Sequence, residues 1–442
     1  MKQREALAIM ESGRSALLTG AAGSGKTYLL EQFIRGARRS GRRVAVTATT
    51  GLAATHLGGA TIHAWSGIGV ADSLPPGHAG KLSRQRQANI ESTDILVIDE
   101  ISMLHDFRLD MVDTVCRQVR EDERPFGGLQ VILCGDFFQL PPVNRGDGRL
   151  GGFVTGSRAW FEAELAVLYL DEQHRQRDDP GFTEILNALR GGGLASDQLA
   201  RLDSRVGAGL EAGSTATRLH TVNVDVDAEN ERELGRLTGR GTRYEMTSSG
   251  SRQHVEALKR SCLAAEVLRL RVGALVMFIK NAQDRRYANG SLGEVTGFEK
   301  TSMLPLVRLA RGGRVITVRR DTWELVDGEN RRAQLTQVPL RLAWAITVHK
   351  SQGMTLDAAD VDLRRAFTPG MGYVALSRVR RLDRLALRGL GQMALCVSDE
   401  ALAIEADLQA ASERARRDHA GVIAAATGKR RAAKGRARGG HG

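Results

Sequence analysis

The sequence is poor in cysteine and in aromatic residues, and it has no long apolar run. None of its four cysteines, Cys116, Cys134, Cys262 and Cys396, lies near enough to another to form a CxxC pair, so neither a zinc site of that kind nor a disulfide framework is indicated. No apolar stretch approaches the roughly 18 residues that cross a bilayer. The first fifteen residues lack the apolar centre of a signal peptide. We therefore expect a cytoplasmic protein without a membrane partner.

The charge balance favours a phosphate-rich partner. Lys plus Arg number 63 and Asp plus Glu 51, which gives a net charge of +12 over 442 residues. Much of the excess lies in residues 413–442, a basic, Ala- and Gly-rich segment without aromatic residues. Such a composition predicts a disordered tail. Nonspecific affinity for DNA and a merely solvated terminus are both open interpretations of it.

A phosphate-binding loop begins near the start of the chain. "GAAGSGKT" follows a short apolar strand and precedes a predicted helix that opens at Tyr28. Backbone N–H groups of such a loop surround phosphates at a helix N-terminus, Lys26 reaches the outer phosphates and Thr27 holds Mg²⁺. The predicted nucleotide site comprises Gly20, Ala21, Ala22, Gly23, Ser24, Gly25, Lys26, Thr27 and Tyr28.

Two later apolar segments end in polar side chains. "DILVIDEIS", residues 94–102, predicts a buried strand that delivers Asp99 to Mg²⁺ and Glu100 to the attacking water. "LQVILCGDFFQLPPV", residues 129–143, predicts another strand, after which Gln139 is a candidate to contact the γ-phosphate or its water. A buried turn glutamine is the alternative for Gln139. With the phosphate loop, the acids indicate nucleotide hydrolysis.

Several ordered blocks carry a family resemblance. The chain resembles the petite integration frequency (Pif) family of superfamily-one, B-type DNA helicases, with a RecD-like motor, as far as about residue 395. The most specific block is "RLDMVDTVCRQVREDERPFGGLQ", residues 108–130, which resembles the signature segment of the family. The other matching blocks are residues 47–69, 170–192, 343–357 and 373–387.

The resemblance implies an α/β fold of two RecA-like P-loop motor domains with parallel sheets and a small inserted β-barrel, with ATP in the cleft between the motors. The first motor is expected at 1–205, with a small strand-separating insert at about 67–93. The second is expected at 213–284 and 338–412, interrupted by the barrel at 285–337. Short β-rich runs separated by Asn-Gly and Gly-Gly turns in that segment also favour a barrel.

The same resemblance implies further nucleotide residues. Arg175 and Arg378 stand at the arginine-finger positions of the family, although an arginine taken without this context is more often a surface ion pair. Gln3 resembles the glutamine that contacts adenine, and Gln352 with Gly353 is expected near the nucleotide.

Side chains for single-stranded DNA are expected on both motors. Hydroxyl groups are suited to phosphates and flat rings to bases. In the first motor the candidates are Thr49, Thr50, His63 and Trp65, and in the second they are Thr347, His349 and Lys350. Trp65 is equally compatible with the core. A metal-ligand or catalytic-base role for His349 has no supporting cluster of acids or cysteines.

Two positions depart from the family pattern. Met371 stands where a glutamine is expected, which puts any nucleotide or DNA contact there in doubt, and His174 stands where an aromatic residue such as Phe is commoner.

The function expected from the sequence is that of an ATP- and Mg²⁺-dependent DNA helicase that acts as a monomeric motor. The resemblance implies binding to single strands and duplex junctions, movement from five-prime to three-prime, and a place in replication, repair or recombination. In a bacterium the protein would associate with the nucleoid. The alternatives are a DNA-stimulated ATPase that remodels protein-DNA complexes and a RecD-type subunit, against which residues 108–130 argue.

Overall fold

A computed structural model describes residues 1–69, 72–144, 149–210, 216–262, 264–280, 282, 286–287, 291–310, 312–327 and 330–426. Within them the α-helices are α1 (Gln3–Glu11), α2 (Lys26–Arg39), α3 (Gly51–His56), α4 (Ile62–Ser66), α5 (Arg84–Ser92), α6 (Asp106–Arg120), α7 (Arg158–Glu162), α8 (Pro180–Arg190), α9 (Ser196–Asp203), α10 (Asn223–Arg236), α11 (Arg252–Ser261), α12 (Val348–Ser351), α13 (Met371–Leu376) and α14 (Asp399–Asp418).

The strands of the same residues are β1 (Ala16–Gly20), β2 (Val44–Ala48), β3 (Ala60–Thr61), β4 (Ile95–Asp99), β5 (Gln130–Cys134), β6 (Ala166–Leu170), β7 (Thr217–His220), β8 (Gly241–Glu245), β9 (Thr247–Gly250), β10 (Val267–Arg271), β11 (Leu275–Phe278), β12 (Leu292–Phe298), β13 (Pro305–Leu309), β14 (Val315–Thr317), β15 (Asp321–Asp327), β16 (Asn330–Gln337), β17 (Leu340–Leu342), β18 (Ala345–Thr347), β19 (Ala359–Leu363) and β20 (Leu385–Leu390).

The first half of the chain builds a parallel sheet. Among the described strands its order is β3-β2-β4-β5-β1-β6. Every residue of β1, β4 and β5 is buried, as expected of central parallel strands covered by helices on both faces. Helix α2 turns Leu29, Leu30, Phe33, Ile34 and Ala37 toward one face, because positions three and four apart share a side of a helix. The carboxyl ends of β1, β4 and β5 therefore meet at one edge.

The second half of the chain builds another parallel sheet. Its order within the described chain is β18-β7-β19-β20. Leu219 and Val361 of this sheet belong to the same buried apolar cluster as Leu17 and Leu133 of the first sheet. The two parallel sheets confirm the predicted α/β class, and their shared cluster holds them side by side.

The strands between residues 292 and 337 are antiparallel and do not confirm the expected barrel. As described, they lie in two sheets, β14-β13-β12-β11-β17 and β15-β16-β9. Strands β9, β11 and β17 come from outside the predicted segment 285–337, and a separate apolar cluster that includes Val276 and Val295 packs the larger sheet. Residues 285, 288–290, 311, 328 and 329 of that segment lie outside the described residues.

Two further segments add detail to the expected organisation. The expected insert at about 67–93 contains helix α5, and its residues 70 and 71 lie outside the described part of the chain. Helix α14 continues into the segment expected to be disordered, and residues 420–426 are also helical. Ser412 Oγ of α14 accepts from the backbone N–H of Tyr169 at 3.1 Å, so this helix packs against β6 of the first sheet. Residues 427–442 lie outside the described residues.

No helix in the described ranges is long and apolar enough to cross a membrane.

Candidate active site

The phosphate-binding loop lies at the edge of the first sheet, between the end of β1 and the start of α2. Gly23 and Gly25 have φ of 89° and 86°, a left-handed conformation that disfavours residues with a Cβ. A Cβ at Gly23 would lie 2.7 Å from Cβ of Arg175, and one at Gly25 would lie 2.2 Å from Nε2 of Gln3. Both glycines are thus required by conformation and by close neighbours.

The loop holds its lysine over the backbone. Lys26 Nζ donates to the carbonyl oxygens of Gly20 at 2.8 Å and Ala21 at 3.1 Å. Thr27 and Tyr28 follow at the N-terminus of α2 and line the adjacent cavity, where the Tyr28 side chain is 57% exposed. The positive end of the helix dipole and the ammonium group therefore act on the same space.

Asp99 and Glu100 end β4 at this edge. Glu100 has a left-handed φ of 53°, and Asp99 Oδ1 accepts from its backbone N–H at 2.8 Å. Gln352 Nε2 donates to Glu100 Oε2 at 2.8 Å. Burial, and then the charge of Asp99, raise the pKa of Glu100 to about 7, while Gln352 and Lys26 oppose that rise. A carboxyl group with a pKa near neutrality is suited to exchange a proton with water.

Gln139 lies beyond β5 on the same side of the cavity. Its side-chain Nε2 donates to Asp136 Oδ2 at 3.3 Å. Its Oε1 is buried and has no hydrogen-bond partner among the described residues. Burial opposes ionisation of Asp136, but Arg190 and Lys26 hold its pKa below the ordinary value. An unpartnered acceptor on the cavity wall is suited to bind a water molecule.

Arg378 approaches the cavity from the second sheet. It is 1% exposed, and its guanidinium donates to the carbonyl oxygens of Val374 at 2.7 Å and of Ser351 and Met354 at 3.3 Å. Burial lowers the pKa of Arg378 to about 10, an effect that the charge of Glu100 opposes. A buried cation whose hydrogen bonds go to neutral oxygens keeps its charge available to an anion.

Arg175 joins Arg378 on this wall. Its Nη1 donates to the carbonyl oxygen of Ser377 at 2.9 Å. The next residue, Gln176, donates to the carbonyls of Ser377 at 3.2 Å and Val379 at 2.8 Å, which ties the segment after β6 to the end of α13. Burial, and then the charge of Arg378, lower the pKa of Arg175 to about 9. Arg175 and Arg378 together place two positive charges on this wall of the cavity.

These groups surround one cavity of about 330 Å³ between the two sheets. Its lining is Ala22, Gly23, Gly25, Lys26, Thr27, Tyr28, Asp99, Glu100, Gly135, Gln139, His174, Arg175, Gly353, Thr355, Arg378 and Arg380. Sequence reasoning did not select Gly135, Thr355 or Arg380. Their positions directly after β5 or within the matching blocks offered the only signal.

Gln3 and Ser24, which were also predicted to bind nucleotide, lie next to each other at the phosphate-binding loop. Gln3 Nε2 donates to the carbonyl of Ser24 at 3.1 Å, so α1 is attached to the loop. Ser24 Oγ is buried and has no partner in the described part of the chain. Met371, which departs from the family pattern, is fully buried in the shared apolar cluster.

The threonines predicted to contact DNA in the first motor are held by hydrogen bonds to the backbone. Thr49 Oγ1 donates to the carbonyl of Glu100 at 2.9 Å. Thr50 Oγ1 accepts from the backbone N–H of Ala53 at 3.2 Å, as at a helix N-terminus. Thr49 therefore ties its loop to the backbone that carries Glu100.

The two rings predicted to stack on bases are both half-buried. His63 Nε2 accepts from Arg108 Nη1 at 3.0 Å. Burial, then the charges of Arg108 and His105, lower the pKa of His63 to about 4. Trp65 packs against the main apolar cluster. Arg108 is the first residue of the signature block, so that block contacts the predicted DNA loop.

In the second motor the three candidates lie at the start of α12. Thr347 is buried and its Oγ1 accepts from the backbone N–H of Lys350 at 3.3 Å. The His349 ring stacks on Phe367, with centroids 6.0 Å apart and planes inclined by 18°. Phe367 is 59% exposed. Sequence reasoning did not select Phe367, because nothing in its local pattern distinguishes it from a core phenylalanine.

Comparison with known proteins places these features in a family. The model of the PIF1-like helicase family matches residues 2–198, and that of the DNA helicase Pif1, 2B domain matches residues 253–298. The ATP-dependent DNA helicase Pif1 of Psychrobacter sp. is 40% identical over 89% of this chain and 69% of its own length. The human ATP-dependent DNA helicase PIF1 is 38% identical over 89% of this chain and 61% of its own length.

Solved structures agree with the sequence matches. The Pif1 helicase from Candida albicans superposes with a TM-score of 0.82 at 32% identity, covering 92% of this chain and 98% of its own. Bacteroides sp. Pif1 in complex with ADP-AlF4 gives 0.77 at 31% identity, over 93% and 97% of the two chains. Bacteroides Pif1 bound to ssDNA gives 0.70 at 32% identity, over 92% and 96%.

Proposed function

Because the chain belongs to the PIF1-like helicase family, we propose that it is an ATP-dependent DNA helicase that binds single-stranded DNA. The observation that carries the proposal is a cavity lined both by Lys26 and Glu100, at the edge of the first sheet, and by Arg378, which follows α13. A nucleotide held there contacts both sheets, so its hydrolysis changes how they interact.

The residues of the cavity fit ATP with Mg²⁺. Side chains are excluded at Gly23 and Gly25, which leaves backbone N–H groups to face phosphates. Thr27 and Asp99 line the same cavity and supply the hydroxyl and carboxylate oxygens that Mg²⁺ prefers. When bound, Mg²⁺ neutralises the charge of the outer phosphates.

Four side chains contribute to hydrolysis. Glu100 orients the attacking water and takes its proton, and Gln352 holds the carboxylate in place. Arg175 and Arg378 stabilise the negative charge that develops on the transferred phosphoryl, a contribution of about 10³ to 10⁵ in rate for an arginine finger.

We propose that single-stranded DNA binds along the loops of both motors that adjoin this cavity. We further propose that the protein moves along the strand from five-prime to three-prime. Bacteroides Pif1 bound to ssDNA supports single-stranded DNA as the partner, and duplex junctions follow if travel opens a duplex. Repeated closure of the cavity against gripped DNA gives translocation by a monomer. The four free cysteines are compatible with a reducing compartment, the cytoplasm or a bacterial nucleoid.

Phe367 extends that track in the second motor. Its exposed ring lies parallel to His349, and stacking of a base on an aromatic ring is worth about 1 to 3 kcal/mol. We expect Phe367→Ala to weaken binding of an oligo-dT strand by about 10-fold. Phe161→Ala is the control, because Phe161 is 69% exposed on α7 of the first motor. Equal affinities of the two variants would remove Phe367 from the track.

Strand displacement with simultaneous ATP hydrolysis tests the whole proposal. Two matched duplexes are used, one with a five-prime single-stranded tail and one with a three-prime tail. Opening of the five-prime substrate alone, with hydrolysis stimulated by the tail, is the expected result.

The other outcomes separate the alternatives. Stimulated hydrolysis without opening of either duplex would favour an ATPase that remodels protein-DNA complexes or requires a partner. Opening of the three-prime substrate alone would contradict the proposed direction.

A further inference from the structure

Tyr373 of α13 joins the phosphate-binding loop to the second motor. Its side chain is 1% exposed, and its Oη accepts from the backbone N–H of Ala22 at 2.8 Å, across 351 positions of sequence. The same hydroxyl donates to Asp136 Oδ2 at 3.3 Å. Burial and Asp136 raise the pKa of Tyr373, so the hydroxyl remains protonated and able to donate.

Asp136 accepts hydrogen bonds from side chains of α8, of the loop after β5 and of α13. Arg190 Nη2 of α8 pairs with Asp136 Oδ1 at 3.0 Å, and Gln139 Nε2 and Tyr373 Oη share its Oδ2. All four side chains are buried or nearly so. A fully paired carboxylate of this kind fixes the geometry of its donors, because an unpaired one is costly in a buried site.

Helix α13 is docked closely against the Gln139 loop. A Cβ at Gly370, the residue before the helix, would lie 2.5 Å from the carbonyl oxygen of Gln139. The carbonyl of Val374, next to Tyr373, accepts from Arg378 Nε at 2.7 Å. The helix therefore contacts the loop at one end, Ala22 in the middle and Arg378 through its carbonyl group.

We propose that Tyr373 is a positioning residue that sets Arg378 relative to the phosphate-binding loop for hydrolysis. The inference rests on the proposed function and deepens it. The Ala22 N–H donates to Tyr373, so we expect nucleotide affinity to depend on the other loop groups and Lys26. The distance between Arg378 and the transferred phosphoryl depends on how α13 is seated, which affects turnover rather than binding.

The test compares Tyr373→Phe with Tyr244→Phe in steady-state ATP hydrolysis with saturating single-stranded DNA. Tyr244 is also buried, and its Oη donates to the carbonyl of Met303 at 2.6 Å, away from the cavity. For Tyr373→Phe we expect kcat to fall by about 10-fold with KM for ATP changed by less than about 2-fold. Tyr244→Phe is expected to leave both within about 2-fold.

The concentration of protein that binds nucleotide is determined by titration, and kcat is calculated from that concentration. A fraction of unfolded protein then does not lower the measured kcat. Unchanged kcat for Tyr373→Phe would overturn the inference, as would a variant that no longer binds nucleotide or one whose KM alone rises. Failure of the proposed function is distinguishable, because the unaltered protein would then lack DNA-stimulated hydrolysis in the same assay.

Discussion

At the scale of single residues, Glu100 combines a left-handed backbone, partial burial and a hydrogen bond from Gln352. Such a conformation costs a non-glycine residue about 1 kcal/mol or more and persists where the surroundings enforce it. It turns the carboxyl group away from the strand direction and into the cavity that Asp99 also lines.

Replacing Glu100 by glutamine tests this arrangement. Glu100→Gln keeps the shape but removes the base, so we expect kcat for ATP hydrolysis to fall by about 10² to 10⁴ while ATP still binds. Filter binding of labelled ATP and a phosphate-release assay give the two values. Glu121→Gln is the control, because Glu121 is exposed and also has a left-handed φ, 51°. Loss of ATP binding in Glu100→Gln would contradict a purely chemical role.

His63 makes the stability of the fold depend on pH. Its pKa in the folded state is about 4 against an ordinary 6.5, so the unfolded chain binds more protons between these values. The contribution of His63 to the free energy of unfolding is therefore fully present above about pH 6.5. It is lost as the pH is lowered toward 4.

Substitution of His63 measures that contribution. His63→Gln retains an acceptor for Arg108 without a titrating ring, and we expect the loss of unfolding free energy between pH 7 and pH 5 to shrink by about 1 to 2 kcal/mol. Urea unfolding at the two pH values gives the comparison. His254→Gln is the control, because the His254 ring contacts Ser251 rather than Arg108. An unchanged pH dependence would show that the His63 contact with Arg108 tolerates protonation.

At the scale of secondary-structure elements, α13 links the two parts of the fold through the phosphate-binding loop and the Gln139 loop. A Cβ at Gly370 would meet the carbonyl oxygens of Gln139 and Phe138, and one at Gly372 would lie 1.8 Å from the carbonyl of Ala394. Glycines at these two points let the helix approach backbone on both sides. The position of α13 is therefore fixed by close backbone contacts at Gly370 and Gly372 as well as by side-chain hydrogen bonds.

A pair of glycine substitutions separates strain from docking. Gly370 and Gly41 have φ of 81° and 80°, but only Gly370 has atoms within 4 Å of an added Cβ. We expect Gly41→Ala to lower the unfolding free energy by about 1 to 2 kcal/mol through strain. Gly370→Ala is expected to lose more and to slow ATP hydrolysis. Equal urea midpoints and rates for the two variants would mean that α13 shifts without consequence.

Helix α14 follows the second sheet in the chain but packs on the first. Besides the Ser412 contact, Arg416 Nη2 pairs with Glu5 Oε1 at 3.3 Å, and Glu400 Oε1 accepts from the backbone N–H of Phe153 at 3.1 Å. The two motors are therefore joined by a crossing helix as well as by the connection before β7.

At the scale of the whole molecule, the net charge predicts how DNA binding responds to salt. Residues 427–442 carry six Lys and Arg, so a chain ending at Ala426 would have a formal charge of +6, from 12 minus 6. If the tail contacts DNA, its removal should weaken single-stranded DNA binding at low salt and make the salt slope shallower by up to about 4.

Fluorescence anisotropy across a salt series measures that slope. ATP hydrolysis at saturating DNA should stay unchanged, because the residues that line the cavity lie between Ala22 and Arg380. A full-length chain with glutamine at the six basic positions distinguishes charge from length. An unchanged slope in both proteins would identify the segment as a solvated terminus.

The sequence by itself determined the phosphate-binding loop, the acids after β4 and the family. These features are local: a loop that binds phosphate uses consecutive backbone N–H groups at one helix N-terminus, and a strand delivers its acids to the sheet edge where it ends. The apolar segments that precede these polar residues predicted buried parallel strands. The ordered blocks that match the family indicated two motor domains.

Only the tertiary structure decided how distant groups meet. The bond from Ala22 to Tyr373, the contact of His63 with Arg108 and the stacking of His349 on Phe367 join residues whose local patterns do not specify each other. The antiparallel sheets around residues 292–337 likewise take strands from outside that segment. Such contacts depend on how packed elements approach, because each apolar face is compatible with more than one neighbour until the others are in place.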